Sequence, residues 1–309
     1  QGTVQRSYSP WYQNQPAYSA RVFDRNGRSY EVKDEDIIVS SIQSEDRTVL
    51  SDDMLLQAVL PGLQEGGIVE ELTITTERAP FFKSGTIKNA ILDTLIPTHY
   101  LSVEIEAPQD MPLKVGILGP EIPMQRSTAN GKQYWKIEIQ NPKLVDASKL
   151  EGSIPANKYQ LSSLVITTGQ SWNNIASEYS QIIDQKLQGT EFPSILEEID
   201  IDRSAPQITQ LEKCKQWIQK NIRYTSVALG DASIIPVKPM QVLTKRFGDC
   251  KDQSSLLVGL LRELKIEAHV ALVNSTTYRT PYEEYPALNS FDHAIVMAIC
   301  DGQEVWIDC

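Results

Sequence analysis

The stretch "KRFGDCKDQSSLLVGLLREL" (residues 245–264) decides how this sequence folds, because it joins a cysteine to the start of a helical pattern. Five leucines at helical spacing predict a buried helix face: Leu256, Leu257, Leu260, Leu261 and Leu264. Gly248 permits a backbone conformation that other residues resist, so it predicts a sharp turn into the helix. We therefore expect Cys250 at or within the first helical turn.

Two interpretations of Cys250 follow from that position. Unpaired backbone N–H groups gather at the first turn, where they and the helix dipole stabilise a thiolate. The same groups can hold the oxyanion of a tetrahedral intermediate. Asp249 and Asp252 oppose thiolate formation, so a nucleophilic Cys250 needs a histidinium partner. Without such a partner, Cys250 is a small core residue at the start of a helix.

The last residues, "SFDHAIVMAICDGQEVWIDC" (290–309), predict a β-hairpin. Asp301-Gly302 is a strong signal for a two-residue turn between antiparallel strands. A tight turn at this point pairs Cys300 with Gln303, and the register continues with paired residue numbers summing to 603.

This register brings a histidine and a carboxylate together. Asp308 lies opposite Ile295, and His293 is two residues along the strand from Ile295, so it points to the same face as Asp308. Diagonal neighbours of this kind are roughly 7–8 Å apart at Cα. That separation allows a hydrogen bond between the Asp308 carboxylate and the His293 ring. Residues 250–264 supply the cysteine, but the sequence does not show that their helix packs on this sheet face.

The remainder of the second half is predicted to be α+β. Helical spacing of apolar residues predicts helices over 171–188 and 205–222, the first capped by Ser171. Strands follow the Cys250 helix at 266–273, 293–300 and from 303 to the last residue. We expect helices packed on an antiparallel sheet over residues 169–309.

The first half is predicted to be β. Alternation on both sides of Asn26-Gly27 indicates a hairpin. Further strands are predicted at 36–42, 67–77, 99–108, 113–119, 133–141 and 159–168. Short strands at regular spacing, separated by Gly, Pro and Asn, are typical of a β-sandwich. Residues 1–168 are therefore expected to form a β-sandwich domain.

Composition excludes several classes of protein. The 309 residues carry a net charge of −11, which disfavours nucleic acid as a partner, since phosphate contacts need clustered Lys and Arg. No run reaches the roughly 18 apolar residues that a membrane span needs. The opening residues 1–16 lack the apolar stretch of a signal peptide.

No cofactor or metal is expected. The motifs of nucleotide-binding loops, dinucleotide-binding folds and serine hydrolases are missing from the sequence. There is no CxxC pair and no HxxxH spacing, so a zinc site is disfavoured. The cysteines are too few and too scattered for a disulfide framework: Cys214, Cys250, Cys300 and Cys309. Chemistry in this chain would therefore rest on Cys, His and carboxylates.

The motifs taken together resemble a known family. Residues 248–252 ("GDCKD") with the leucine helix, then "FDH" (291–293) and "WID" (306–308), look like the transglutaminase-like superfamily. More narrowly, the chain resembles bacterial proteins in which a β-rich domain of unknown function precedes a transglutaminase-like domain. Segments in both halves carry this closer resemblance: "ARVFDRNGRSYEV" (20–32), "LPGLQEGGIVEELT" (60–73), "IRYTSVALG" (222–230) and "IEAHVALV" (266–273). It implies that 1–168 is truncated at its start and 169–309 at its end.

The resemblance also implies a papain-like domain with a Cys-His-Asp triad. Cys250 would be the nucleophile that forms a thioester with an amide substrate, and His293 would be its acid and base. Asp308 would orient His293. Tyr224 is a candidate for the oxyanion site or the substrate wall.

Two functions remain open at this point. The first is an acyl-transfer enzyme that acts on protein or peptide amides, with hydrolysis favoured over transamidation because water is always present. The second is a non-catalytic binding or scaffolding module of the cell envelope, built on the same framework. The resemblance favours the bacterial periplasm, envelope or exterior as the location. The oligomeric state is left open.

Overall fold

The computed structural model describes residues 2–42, 49–146, 161–275 and 282–309. The predicted α+β fold is confirmed, with a β-rich half followed by helices and an antiparallel sheet. The last strand of the β-rich half ends at Thr167, and the first α-helix begins at Trp172.

The first part of the β-rich half is a pair of three-stranded antiparallel sheets. Its strands are β1 (Thr3–Tyr8), β2 (Ala17–Phe23), β3 (Ser29–Glu31), β4 (Ile37–Ser41), β5 (Val49–Ser51), β6 (Met54–Val59) and β7 (Ile68–Ile74). One sheet has the order β1-β6-β4 and the other β3-β2-β7, and β5 belongs to neither of them. Ala20, Val22 and Leu60 are buried between them. The predicted hairpin at Asn26-Gly27 joins β2 to β3.

The second part is another pair of three-stranded antiparallel sheets. Its strands are β8 (Ile87–Ile91), β9 (Tyr100–Pro108), β10 (Lys114–Leu118), β11 (Gln125–Ala129), β12 (Lys132–Gln140) and β13 (Ser163–Thr167). The sheet orders are β10-β13-β8 and β11-β12-β9, with Leu92, Ile137 and Leu164 buried between them. The expected sandwich is therefore two successive sheet pairs, each with its own apolar core. The start of the predicted strand 159–168 lies outside the described residues.

Among its described residues, the second half contains five α-helices and a three-stranded antiparallel sheet. The helices are α1 (Trp172–Leu187), α2 (Phe192–Ile199), α3 (Gln207–Asn221), α4 (Pro239–Lys245) and α5 (Cys250–Glu263). The strands are β14 (Arg223–Tyr224), β15 (Ser226–Ala228), β16 (Phe247–Gly248), β17 (Glu267–Val273), β18 (His293–Cys300) and β19 (Gln303–Ile307). The sheet has the order β17-β18-β19. Over the described ranges, none of the helices has the length and apolarity to cross a membrane.

Helix α5 lies at the centre of this half. Every residue from Lys251 to Leu261 is buried, and the helix contacts α1, α2, α3, α4, β17 and β18. Its leucines form the largest core cluster together with Leu211, Ile218 and Val296. Burial on all sides fixes the helix axis, and with it the place where the first turn begins.

The two halves are joined by backbone and side-chain contacts. Strand β5 pairs in parallel with β15, and Asp52 Oδ2 accepts a hydrogen bond from the Gly230 backbone N–H at 3.0 Å. The Asn289 side chain hydrogen-bonds both the N–H and the carbonyl of Ile87, at 3.1 and 3.0 Å. The Thr167 hydroxyl donates to the Pro286 carbonyl at 2.7 Å. Each pair of sheets is therefore attached to the helical half.

Packing of α2 on α5 depends on a glycine. A Cβ atom at Gly259 would overlap the Phe192 ring. Gly259→Ala should therefore destabilise the fold by about 1–3 kcal/mol through overpacking, against a gain of about 1 kcal/mol in helix propensity. The check is the midpoint of urea unfolding followed by circular dichroism. Adding Phe192→Leu should recover part of the loss, and a Gly259→Ala variant more stable than wild type would contradict this packing.

Candidate active site

Cys250 is the first residue of α5, as the sequence predicts. Asp249 is the N-cap, and its side chain accepts a hydrogen bond from the Asp252 N–H at 3.4 Å. The Asp252 side chain accepts one in return from the Asp249 N–H at 3.3 Å. This reciprocal capping box fixes the backbone on both sides of Cys250.

Gly248 acts differently from the prediction. Its backbone is not among those with positive φ, so the turn does not need the conformational freedom of glycine. A Cβ atom at this position would instead lie 2.8 Å from the Asp252 Cβ and 3.4 Å from Val242 Cγ1. Glycine is required here for space, because any side chain would displace the capping carboxylate.

A buried ion pair lies beneath the first turn. Lys251 Nζ contacts Asp249 Oδ2, and both side chains are almost fully buried. Asp252 Oδ1 accepts a hydrogen bond from the Val237 N–H at 2.9 Å. Burial, then the neighbouring Asp249, raises the pKa of Asp252, and Lys251 opposes this change. The carboxylates thus hold the helix start in place at an electrostatic cost that Lys251 partly offsets.

His293 and Asp308 are brought together as the hairpin register predicts. Cys300 pairs with Gln303 across the two-residue turn, and every pair from there to Val296 and Ile307 sums to 603. His293 Nε2 lies 3.0 Å from Asp308 Oδ1. This contact occupies one ring nitrogen and leaves Nδ1 as the second nitrogen of the imidazole.

The start of α5 packs directly on β18, which the sequence alone did not show. The Ser254 hydroxyl donates to the Ala294 carbonyl at 3.1 Å, and the Ala294 N–H acts on the Cys250 thiol to lower its pKa. Ala294 follows His293 in the strand. A single residue of β18 therefore connects the cysteine to the position of the histidine.

The surroundings of Cys250 favour the thiol over the thiolate. Burial, followed by the Asp249 charge, raises the pKa of Cys250. The N–H groups of Ala294 and Lys251 and the Lys251 ammonium group act in the opposite direction but do not reverse it. The expectation that the helix start lowers this pKa is therefore outweighed by desolvation. At neutral pH the resting sulfur keeps its proton.

Tyr224 lies beside the cysteine. Strand β14 pairs in parallel with β16, so Tyr224 is opposite Gly248 in the register. The Tyr224 hydroxyl is close to Cys250, whose side chain and backbone N–H both act on the pKa of Tyr224. Half of the residue is exposed, yet burial of its hydroxyl end, then the charges of Cys250 and Asp249, raises its pKa to about 12. The hydroxyl stays protonated and is available as a donor.

Cys250, His293 and Tyr224 line one cleft of about 400 Å³. Asp308 is reached through His293 rather than from the cleft. The β-rich half contributes part of the wall through Ser9, Trp11, Asp53 and Phe81. These four residues were missed by sequence analysis, because only the joining of the two halves brings them near Cys250.

The other three cysteines are separate from the cleft. All four cysteines are free thiols, and Cys214 and Cys300 are buried in the core. Burial raises the pKa of Cys309 to about 12. Within the described ranges, no group of three or more His, Cys, Asp or Glu residues is arranged to hold a metal ion.

A family comparison finds a match in each half of the chain. Residues 194–309 match the model of the transglutaminase-like superfamily. They form a transglutaminase-like domain. Residues 1–145 match a domain of unknown function, DUF3857. The matched segments together cover both sheet pairs up to the end of β12 and the whole site from α3 to β19.

Among solved structures, the chain is similar to a protein described as a "putative protease" from Parabacteroides distasonis ATCC 8503. The TM-score is 0.78 at 17% sequence identity, which shows a shared fold. The match covers 100% of this chain and 59% of that one, so the chain spans about three fifths of the neighbour's length. A comparison with curated proteins finds no match.

The buried ion pair under the transglutaminase-like site leads to a stability prediction. Asp249→Ala should lower the free energy of unfolding by about 3–5 kcal/mol, since it removes a helix cap and a carboxylate that faces buried Lys251. Ser171→Ala, which removes the matching cap of α1 without an ion pair, should cost about 1 kcal/mol. Thermal and urea unfolding of both variants provide the measurement. Equal losses would show that the Asp249–Lys251 contact adds nothing to the cap.

Proposed function

We propose that this chain is a cysteine acyl-transfer enzyme that acts on protein or peptide amides. The observation that carries the proposal is the opening of Cys250 and the Asp308-bonded His293 onto one cleft. Nucleophile, base and orienting acid follow in that order along the chain. The same order and flanking motifs are those of the superfamily matched by residues 194–309.

The chemistry proceeds in two steps. The Cys250 sulfur attacks the amide carbonyl carbon while its proton passes to His293. Collapse of the tetrahedral intermediate breaks the C–N bond, and His293 returns the proton to the leaving amine. A thioester remains on Cys250. In the second step water attacks the thioester with His293 as base, which releases a carboxylic acid and restores the thiol.

The raised pKa of Cys250 bears on the first step. Since the sulfur rests as a thiol, its proton must move to His293 as the bond to carbon forms. The Asp308 carboxylate, at 3.0 Å from Nε2, holds the ring and stabilises the imidazolium that results. The His293–Asp308 pair therefore activates the Cys250 thiol, which the helix start alone does not do.

Tyr224 and the Cys250 N–H form the proposed oxyanion site. The Tyr224 hydroxyl is close enough to the Cys250 N–H for that group to lower the pKa of Tyr224. A substrate oxygen at that place would accept from both groups, which places two donors on the charge that develops in the transition state. Tyr224 thus acts as an oxyanion donor rather than only as a wall of the cleft.

Hydrolysis is favoured over transfer to an amine. Water reaches an open cleft without a binding site of its own, whereas an acceptor amine needs one. The Parabacteroides neighbour is described as a "putative protease", in keeping with hydrolysis.

The alternative is a non-catalytic binding module, and the raised pKa of the half-buried Cys250 thiol is in its favour. In either case we propose the bacterial cell envelope or exterior as the location, supported by the bacterial origin of the structural neighbour. Fractionation of the producing cells tests that placement.

Activity on peptide amides tests the enzyme directly. We expect cleavage products from a mixed peptide library, read by mass spectrometry, and a thioester adduct on Cys250 after acid quench. Cys250→Ala should abolish both, and His293→Ala should lower kcat/KM roughly 10³-fold. Tyr224→Phe and Asp308→Asn should each cost roughly 10²-fold. Wild-type turnover that survives in Cys250→Ala would contradict the thioester.

Thiol alkylation against pH separates the enzyme from the binding module. Wild-type Cys250 should react with iodoacetamide over a wider range of pH than His293→Ala, because His293 can take the thiol proton. Without His293, the rate should rise only above the pKa of a free cysteine, since burial raises that of Cys250. The measurement is peptide-resolved mass spectrometry from pH 5 to 10.

His99→Ala is the matched control for this profile, because His99 is an exposed histidine of the β-rich half that contacts Asn141. It should reproduce the wild-type curve. Superimposable curves for wild type and His293→Ala would favour the binding module.

A further inference from the structure

Part of the cleft wall comes from the β-rich half, and it has a distinct chemical character. Trp11, Phe81 and Asp53 line the same cleft as Cys250 and His293. An aromatic surface beside a carboxylate is the combination that proteins use to bind organic cations. The transglutaminase-like half contributes none of these three residues.

The aromatic part of the wall is a packed cluster. The Trp11 ring centroid lies 4.6 Å from that of Tyr12 and 5.7 Å from that of Phe81. Tyr12 and Phe81 complete the cluster at 5.5 Å with an edge-on contact. Mutual packing holds the rings in fixed orientations while leaving each partly exposed. A ligand would therefore meet a preformed surface.

The carboxylate of Asp53 is also held in place. Its Oδ1 accepts a hydrogen bond from the Ser9 hydroxyl at 2.6 Å, and its N–H donates to Ser51 Oγ at 3.1 Å. Asp53 takes part in none of the ion pairs found among the described residues. Lys251, the lysine that lines the cleft, contacts Asp249. The wall thus presents a fixed negative charge to the cleft.

We propose that this wall binds a positively charged side chain of the peptide substrate, a lysine or an arginine. The inference rests on the proposed function, because it assigns a specificity site to the cleft that holds Cys250. An ammonium or guanidinium group can lie over the Trp11 or Phe81 ring while it donates to Asp53. A glutamate at the same substrate position would meet the Asp53 charge and be disfavoured. The β-rich half thereby selects the substrate that the other half cleaves.

Matched peptides test the selection. Two amide substrates that differ only by lysine or norleucine at one position have side chains of similar length with and without charge. In the wild type, kcat/KM at the best position should be roughly tenfold higher for the lysine peptide than for the norleucine peptide. A partly exposed cation site stabilises a bound cation by about this much. Asp53→Asn should reduce this ratio to about twofold or less, and Trp11→Leu should reduce it severalfold.

Asp110→Asn is the charge-matched control. Asp110 is an exposed residue of the β-rich half and does not line the cleft, so the variant should keep the tenfold ratio. Circular dichroism and unfolding midpoints verify that each variant is folded. A ratio in Asp53→Asn equal to that of wild type would overturn the proposal.

Binding separates this proposal from the proposed catalysis. The Cys250→Ala variant, alone and combined with Asp53→Asn, is titrated into dye-labelled lysine and norleucine peptides. Binding is measured by the fluorescence anisotropy of the dye. Tighter lysine binding that Asp53→Asn removes, with no wild-type turnover, would uphold the cation site and refute the enzyme. Turnover with no preference at any position would refute the site and leave the enzyme intact. If the enzyme instead joins an added amine to the peptide, and Asp53→Asn reduces this reaction, the wall binds the acceptor amine. That result would overturn the proposal that it binds a side chain of the peptide substrate.

Discussion

Burial of α5 on every side is the constraint on which the rest of the site depends. Each polar group at the start of a helix inside a core costs stability unless it finds a partner, and among the described residues of the first two turns of α5 the Ser255 hydroxyl has none. These turns also carry Lys251, Asp252 and Ser254, which contact Asp249, the Val237 N–H and the Ala294 carbonyl respectively. The Ser254 contact, which makes this hydroxyl tolerable in the core, also holds the start of α5 against β18.

Local signals in the sequence were sufficient for the helix and the hairpin. The leucine spacing of α5 is a property of one segment, and so is the two-residue turn at Asp301-Gly302. Once the turn is fixed, the period of two along a strand determines that His293 and Asp308 share a face. The His–Asp contact could thus be predicted from twenty consecutive residues without any knowledge of the fold.

Other elements gave weak signals or none. The exposed edge strand β11 reads as polar loop, and β6 ("MLLQAV") lacks the alternation expected of a half-buried strand. Helix α2 has eight residues, too few for a clear period. The aromatic and acidic wall of the cleft depends on contacts between halves separated by well over a hundred residues. The raised pKa of Cys250 depends on burial, which no short segment reports.

The contacts of Ala294 have a consequence for how such a site persists through evolution. Its carbonyl accepts from the Ser254 hydroxyl and its N–H acts on the Cys250 thiol, so β18 enters both contacts through main-chain atoms. Substitution removes side chains but leaves the peptide backbone in place. Surrounding side chains can therefore change while the N–H and the carbonyl of Ala294 keep their places beside Cys250 and Ser254.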